Sequence, residues 1–400
     1  MVTFAAPEIA PGSPVAGRPA PAGAAASGCA EGGVARLGLT TFRNYAALIL
    51  PLDAARPVVL VGANGAGKTN LLEALSLLGP GRGLRGARLE EMVPANSPPG
   101  TGWAVAARLA GPDGPLDLGT GLTPPDSRRQ VRLDGLTARG PAALANHLAL
   151  LWLTPAMDRL LAEAPADRRR FVDRLALGAR PDHAASLAAF EQAHRRRLRL
   201  LRDGPADPAW LDGLEDAMAR HGVAVAATRR ATVGRLAGVL AERADGPFPA
   251  PRLALAGLVE GWLDTMPALA AEDALREHLA AHRDPDSPGD GPQRSDLVVH
   301  DAATGQPARL CSTGEQKALL IAIVLAQARL LRRLNGRPPL LLLDEVVAHL
   351  DPGRRRALFD ELADLGGQPW LSGTDPGLFD GLADRAQVLS VGQGTAHPLT

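Results

Sequence analysis

The sequence predicts an α/β fold whose two sheet-forming halves are separated by a mainly helical stretch. Three observations predict it. Val58-Val59-Leu60-Val61 is a buried-strand run that leads into Gly62-Ala63-Asn64-Gly65-Ala66-Gly67-Lys68-Thr69, and Leu71, Leu72, Leu75 and Leu78 follow at helical spacing. Leu340-Leu341-Leu342-Leu343 is a second apolar strand, and it ends in Asp344-Glu345. Between them, from Asp158 to about Arg283, apolar residues recur at three and four, with Ala, Arg and Leu dominating.

Composition agrees. Four hundred residues suit two or three domains, and aromatic content of 3% with abundant Ala and Leu favours helices over β-sandwiches. The 43 basic side chains balance the 43 acidic ones, so any nucleic-acid contact must come from a local patch. Cys29 and Cys311 make no disulfide framework, which suits a reducing, cytoplasmic setting. No apolar run reaches membrane-spanning length, so no membrane partner is expected.

In chain order, residues 1–32 are Ala, Pro and Gly with almost no charge and are expected to be a disordered tail. Ala26-Ser27-Gly28-Cys29 superficially resembles a lipoprotein cleavage box. The prolines upstream and the lack of a basic n-region argue against export. Val34 to Leu52 alternates like a β-hairpin around Phe42-Arg43-Asn44-Tyr45, a stretch that reads equally as a plain turn or as a nucleotide-side contact.

The stretch from Gly62 to Thr69 fits G-x-x-x-x-G-K-[ST] in its strand–loop–helix context. Gly62, Ala63, Asn64, Gly65, Ala66 and Gly67 would turn backbone N–H groups onto phosphates. Lys68 would reach the β/γ-phosphates of ATP, and the Thr69 hydroxyl would ligate Mg²⁺. Gly79-Pro80-Gly81-Arg82-Gly83-Leu84-Arg85 is then a basic loop. Arg82 and Arg85 could lie near phosphates of ATP or DNA, and a solvated loop is nearly as good a reading.

Gly102 to Leu136 reads as a small antiparallel sheet, with turns at Pro112-Asp113-Gly114 and Asp134-Gly135. Leu144 to Leu153 is apolar and leads to Thr154-Pro155. In the helical stretch, Arg168-Arg169-Arg170 and Arg195-Arg196-Arg197 with Arg199 and Arg202 are either solvated faces or a patch for a phosphate backbone. No heptad persists long enough for an extended coiled coil.

Residues 284–294 are a Pro/Gly-rich linker, and Leu297-Val298-Val299 is strand-like. Ser312-Thr313-Gly314-Glu315-Gln316 precedes an apolar helix, Ala318 to Leu331, that Ser312 or Thr313 can cap. Asp344 and Glu345 after their strand make a Walker B arrangement. Asp344 would hold Mg²⁺ through water, and Glu345 would orient and deprotonate the attacking water. Pro369-Trp370-Leu371 is a further short strand. Gly62, Asp344 and Ser372 should all emerge at carboxyl ends of strands, where such sheets bind ligands.

Together these pieces resemble the ABC-type ATPases of the SMC/Rad50/RecF group, and among them the RecF family. The resemblance is carried by Phe42-Arg43-Asn44-Tyr45, Gly62 to Asn70, the loop with Gly79, Gly81, Arg82 and Arg85, and Leu153-Thr154-Pro155. Arg170-Phe171-Val172-Asp173, Gly291-Pro292 with Arg294, Ser312 to Lys317, and Leu343-Asp344-Glu345 add to it. Two positions depart from the pattern. Thr374 stands where cassettes usually place a switch His, and Gln293 stands where the family commonly has His. No pattern places a Q-loop glutamine, and Gln130 is a guess.

The resemblance implies a P-loop ABC-type ATPase head with an inserted, mainly helical arm. The N-terminal lobe would span 33–155, the arm 156–285 and the C-terminal lobe 286–400. It implies an ATP-dependent homodimer in which Ser312, Gly314 and Glu315 of one chain face the ATP held at Lys68 of the other, with Asp351 in the D-loop. It implies weak, slow hydrolysis used as a switch. It also implies DNA as a partner at gaps or junctions, held by candidates such as Arg82, Arg85, Arg195, Arg196 and Arg199. RecR/RecO-type mediator proteins, recombinase loading and SOS induction follow from the family alone. An SMC- or Rad50-like ATPase and a transporter's nucleotide-binding subunit are the competing readings.

Overall fold

The computed structural model describes residues 32–111, 114–204, 207–243, 246–286 and 289–399. Residues 1–31 of the expected N-terminal tail, Pro112-Asp113 of one expected turn and Ser287-Pro288 of the linker lie outside these residues. The chain forms two compact units. One comprises residues up to Trp152 with Arg337–Ala348 and Leu358 onward; the other comprises Leu153–Gly336 and His349–Ala357.

The first unit opens with the expected hairpin, β1 (Val34–Phe42) and β2 (Tyr45–Pro51). Next come β3 (Val58–Val61) and α1 (Lys68–Ser76). The small antiparallel region is β4 (Trp103–Leu109), β5 (Leu116–Leu122), β6 (Gln130–Leu133) and β7 (Leu136–Thr137), followed by β8 (Leu150–Leu153). One six-stranded sheet runs β2-β1-β4-β5-β6-β7, antiparallel throughout.

The second unit holds α2 (Pro165–Ala179), α3 (His183–Arg202) and α4 (Pro208–Ala241). A strand that the helical periodicity did not announce, β9 (Pro251–Ala256), interrupts the series before α5 (Leu258–Thr265) and α6 (Ala268–Ala281). It exists because β10 (Asp296–Asp301), the expected Leu297-Val298-Val299 strand, returns to pair with it antiparallel. Then comes α7 (Thr313–Asn335). Phe190, Met218, Val223, Val259, Leu275 and Leu279 form its core. Two buried ion networks pin the helices. Arg229 clasps Asp173 through two nitrogens at 2.7 and 2.8 Å while His183 holds the same carboxylate at 2.8 Å. Fully buried Arg197 holds Glu215 at 2.8 Å.

The rest of the chain is β11 (Leu340–Leu343), α8 (Pro352–Leu365), β12 (Trp370–Gly373), β13 (Gln387–Gly392) and β14 (Thr395–Pro398). The second sheet of the first unit runs β14-β13-β3-β12-β11-β8. Its middle strands β13, β3, β12 and β11 are parallel to one another. Residues of β3, β11 and β12 are buried on both faces, and the uninterrupted apolar runs of β3 and β11 are what a parallel sheet requires. Leu71, Leu72, Leu75 and Leu78 are fully buried, each contributing on the order of 2 kcal/mol of apolar burial. Register aligns Gly373 with Val61 and Leu343 with Leu371, so the chain leaves β3, β11 and β12 at one edge. Among the described residues no helix is long and apolar enough to cross a membrane.

Candidate nucleotide site and basic surfaces

The phosphate cradle is built by close approach as much as by sequence pattern. A Cβ at Gly62 would stand 2.3 Å from the Val391 carbonyl oxygen, so β13 forces a glycine there. Gly67 has φ of +112°, in the left-handed region, and a Cβ on it would meet Asn44 Nδ2 at 2.5 Å and Tyr45 Oη at 2.7 Å. Those two residues come from the tip of the first hairpin. Tyr45 Oη donates to the Gly67 carbonyl at 3.0 Å and Asn44 Nδ2 donates to the Ala66 carbonyl at 3.2 Å. Burial holds the Tyr45 phenol well above its ordinary range, keeping it a donor. Asn44 and Tyr45 therefore brace the cradle from outside.

Lys68 is 3% exposed, and its ammonium donates to the Gly62 and Ala63 carbonyls at 2.8 and 3.0 Å. Glu345 Oε1 lies 4.0 Å from it. Thr69 Oγ1 donates to the Asp344 carboxylate, with its oxygens at 2.9 and 3.1 Å. Ser372, fully buried on β12, donates its hydroxyl to Asp344 Oδ1 at 2.7 Å and accepts from the Glu345 amide at 2.9 Å. The spacing placed Ser372 at this edge, but only the register shows it orienting both carboxylate residues. Glu345 has φ of +52°, a costly conformation for a glutamate, and such strain collects at functional positions. Lys68, Thr69, Asp344 and Glu345, 275 residues apart in sequence for the Thr69–Asp344 contact, are thus one constellation.

The donor set fits Mg²⁺. Among the described residues no group of three His, Cys, Asp or Glu side chains converges to hold a metal. A magnesium ion that travels with a nucleotide needs only one or two protein oxygens beside the phosphates, and the adjacent Thr69 hydroxyl and Asp344 carboxylate supply hard oxygens.

A third layer surrounds α1. Glu73, fully buried, accepts from Arg43 Nε and Nη2 at 2.8 Å each and from Arg85 Nη1 at 2.6 Å. Arg129 threads its guanidinium onto the carbonyls of Leu77, Gly79 and Gly81, closing the C-terminal end of α1 and the base of the basic loop. Burial without a carboxylate lowers its pKa to about 10, so it remains a cation at neutral pH. Nothing in the residue order announced Glu73 or Arg129 in these roles. Gln130, the Q-loop candidate, stands on β6 and donates to Asp126 at 2.8 Å. Thr374 is exposed just past β12.

In the second unit Ser312 caps α7 in a reciprocal box. Its amide and hydroxyl donate to Glu315 Oε2 at 2.7 and 2.8 Å. The Ser312 hydroxyl is the main reason the Glu315 carboxyl titrates below its ordinary value. Gly314 sits in the first turn, and nothing within 4 Å would meet a Cβ there. Asp351 Oδ1 accepts from the Arg354 amide at 2.9 Å at the start of α8, and that bond lowers its pKa.

The basic clusters divide. Arg168 forks onto Asp296 with both oxygens at 2.7 Å, Arg169 donates to the Ser295 carbonyl, and Arg197 is buried on Glu215, so these arginines are architectural. Arg196, Arg199 and Arg202 are exposed along α3, and Arg195 pairs with Glu191 at 3.3 Å. Arg82 is exposed on its loop, while Arg85 is tethered to Glu73 and to Asn70 Oδ1.

The family model described as RecF/RecN/SMC N terminal domain matches residues 33–368. The chain is 47% identical over 368 residues to the DNA replication and repair protein RecF of Rhizobium etli (strain CIAT 652), covering 90% of this chain and 97% of the relative. It is 48% identical over 372 residues to the protein of the same description from Mesorhizobium japonicum, covering 91% and 97%. A solved structure of the recombination mediator protein RecF-ATPrS in the RecFOR pathway superposes with a TM-score of 0.81 at 19% identity, over 93% of this chain and 100% of that one. An Smc head domain bound to the C-terminal domain of ScpA, from Pyrococcus furiosus, superposes with a TM-score of 0.51 at 16% identity. At these identities the two structural likenesses speak for the fold, an α/β ABC-type ATPase head.

Proposed function

The chain belongs to the RecF family within the RecF/RecN/SMC N-terminal-domain proteins, and on that premise we propose that it is an ATP-gated DNA-binding ATPase of replication and recombinational repair. The supporting observation is the constellation of Lys68, Thr69, Asp344 and Glu345 at the carboxyl edge of the parallel sheet. Lys68 and the cradle amides from Gly62 to Gly67 would bind the phosphates, and Thr69 with Asp344 would hold Mg²⁺. The metal would neutralise charge on the phosphate oxygens. Ser372 holds the Asp344 carboxylate in position and fixes the Glu345 backbone, and Glu345 accepts the proton of the attacking water.

ATP closes two copies of the chain head to head. Ser312 and the Gly314 amide of one copy meet the γ-phosphate held at Lys68 of the other, with Glu315 and Asp351 beside them. Hydrolysis is slow and releases the dimer. The closed form holds gapped or junction DNA through exposed arginines, Arg82, Arg196 and Arg199 among them, in a salt-sensitive way. Mediator proteins of the RecO and RecR type would then assist recombinase loading and SOS induction in the cytoplasm.

Two measurements test this. With ATP, gel shifts should rank gapped duplex above blunt duplex and single strand, and binding should weaken at higher salt. Glu345→Gln should bind ATP normally and accumulate as a dimer on a sizing column. A variant that stays monomeric with ATP overturns the dimer gate, and DNA binding indifferent to ATP overturns the coupling.

A further inference from the structure

The side of the cradle that faces away from Asp344 and Glu345 has its own neighbour. In the parallel sheet β12 and β11 lie on one side of β3, and β13 lies on the other. Strand β13 runs parallel to β3 with Ser390 beside Val61, so the turn from β13 to β14 emerges at the same edge as the cradle. That turn is Gln393-Gly394. It is closed by the Gly392–Thr395 pair, and the Thr395 hydroxyl donates to the Gly392 carbonyl at 2.7 Å. Its approach is close at two points. The Val391 carbonyl bears on Gly62, and a Cβ at Gly394 would stand 2.7 Å from the Asn44 carbonyl oxygen. The Asn44 side chain in turn binds the Ala66 carbonyl and the Asn70 amide.

Both central residues of the turn have positive φ, +50° at Gln393 and +72° at Gly394. Two-residue hairpin turns of this kind favour Asn, Asp or Gly at the first position, where a left-handed backbone strains them least. Glutamine is longer than the turn needs and strained in it. The residue is exposed, and its amide has no hydrogen-bond partner among the described residues. Neither packing nor the turn accounts for it.

A nucleoside triphosphate is long and asymmetric. With its terminal phosphate toward Glu345, its nucleoside leaves the cradle on the β13 side, where the Gln393 turn and Asn44 converge. Adenine presents an amino donor next to a ring-nitrogen acceptor, and a glutamine amide presents the complementary acceptor and donor. We propose that Gln393 reads the base of the bound nucleotide, pairing its amide with the 6-amino group of adenine and the ring nitrogen beside it. This rests on the nucleotide site proposed above and adds the residue that selects the base.

The experiment uses the full chain in competition against an ATP analogue labelled on its ribose, which leaves the base free. The competitors are ATP and purine riboside triphosphate, which lacks only the 6-amino group. The wild type should prefer ATP by roughly threefold to tenfold, the effect of one or two hydrogen bonds. Gln393→Gly relieves the strained φ and removes the amide. It should melt no lower than the wild type and bind the two competitors equally. Gln393→Asn supplies a residue that the turn favours and withdraws the amide by one methylene, so its preference should shrink with no loss of stability.

The proposal is overturned if the wild type binds both competitors equally, or if either variant keeps the full wild-type preference. A variant weakened to the same extent toward both competitors places the side chain against ribose or phosphate and overturns the base contact too. A wild type that binds neither competitor refutes the nucleotide site itself, an outcome distinct from any that the variants can give.

Discussion

Two helices of this protein begin at glycine-containing motifs, and they begin in opposite ways. At the start of α1, Gly67 adopts a left-handed conformation and no side chain accepts from the first turn. At the start of α7, Ser312 and Glu315 close a reciprocal capping box. Both termini carry the partial positive charge of a helix N-terminus. One leaves its N–H groups to a ligand, and the other already holds an anion of its own. The difference teaches that a phosphate enters the first site against no competitor. In the dimer proposed above, a phosphate reaching the second would meet the Glu315 carboxylate already seated there.

This contrast can be broken or sharpened. The largest effect is expected from Lys68→Ala, which removes the cation of the open terminus. ATP affinity should fall by roughly 10- to 100-fold in titration calorimetry, and unchanged affinity would deny the cradle its role. Ser312→Arg places a bulky cation at the closed terminus. Its monomer should bind ATP like the wild type, while light scattering with ATP should show no association; undisturbed association removes α7 from the contact.

Glu315→Gln keeps the shape of the box and removes its charge. ATP-induced association should tighten a few-fold if the carboxylate competes with phosphate, whereas weaker association would make Glu315 part of the contact. The smallest effect concerns pH. The Glu315 carboxyl titrates below its ordinary 4.5 because Ser312 donates to the ionised form. Its contribution is therefore complete above 4.5 and is lost as pH falls through the lower folded-state value. Hydrogen exchange should show the first turn of α7 opening in that acidic window while α1, which has no carboxylate cap, does not follow.

Much of the site could be read from consecutive residues. The strand, glycine loop and helix from Val58 to Leu78 and the leucine strand before Asp344 sit where the patterns put them, because burial and backbone conformation are written locally. So does the capped helix at Ser312. The hairpin tip was ambiguous by spacing; Asn44 and Tyr45 turn out to touch the cradle backbone.

Other features had no local signal. The arginine runs look alike in sequence, yet Arg168 finds Asp296 and Arg197 finds Glu215, while Arg196 and Arg199 stay exposed. Strand β9 depends on β10 folding back onto it.

By itself the sequence determined the strand–glycine loop–helix unit, the acidic pair after its leucine strand and the helical stretch between them, since each follows from periodicity and backbone preference within a short window. Only the tertiary structure decided which charges are architectural and which are available, why Gly62 must be glycine, and how Ser372 and Glu73 hold their neighbours. The physical reason is that an ion pair or a close approach depends on where a distant segment arrives. That is settled by the packing of whole sheets and helices and not by the residues beside it.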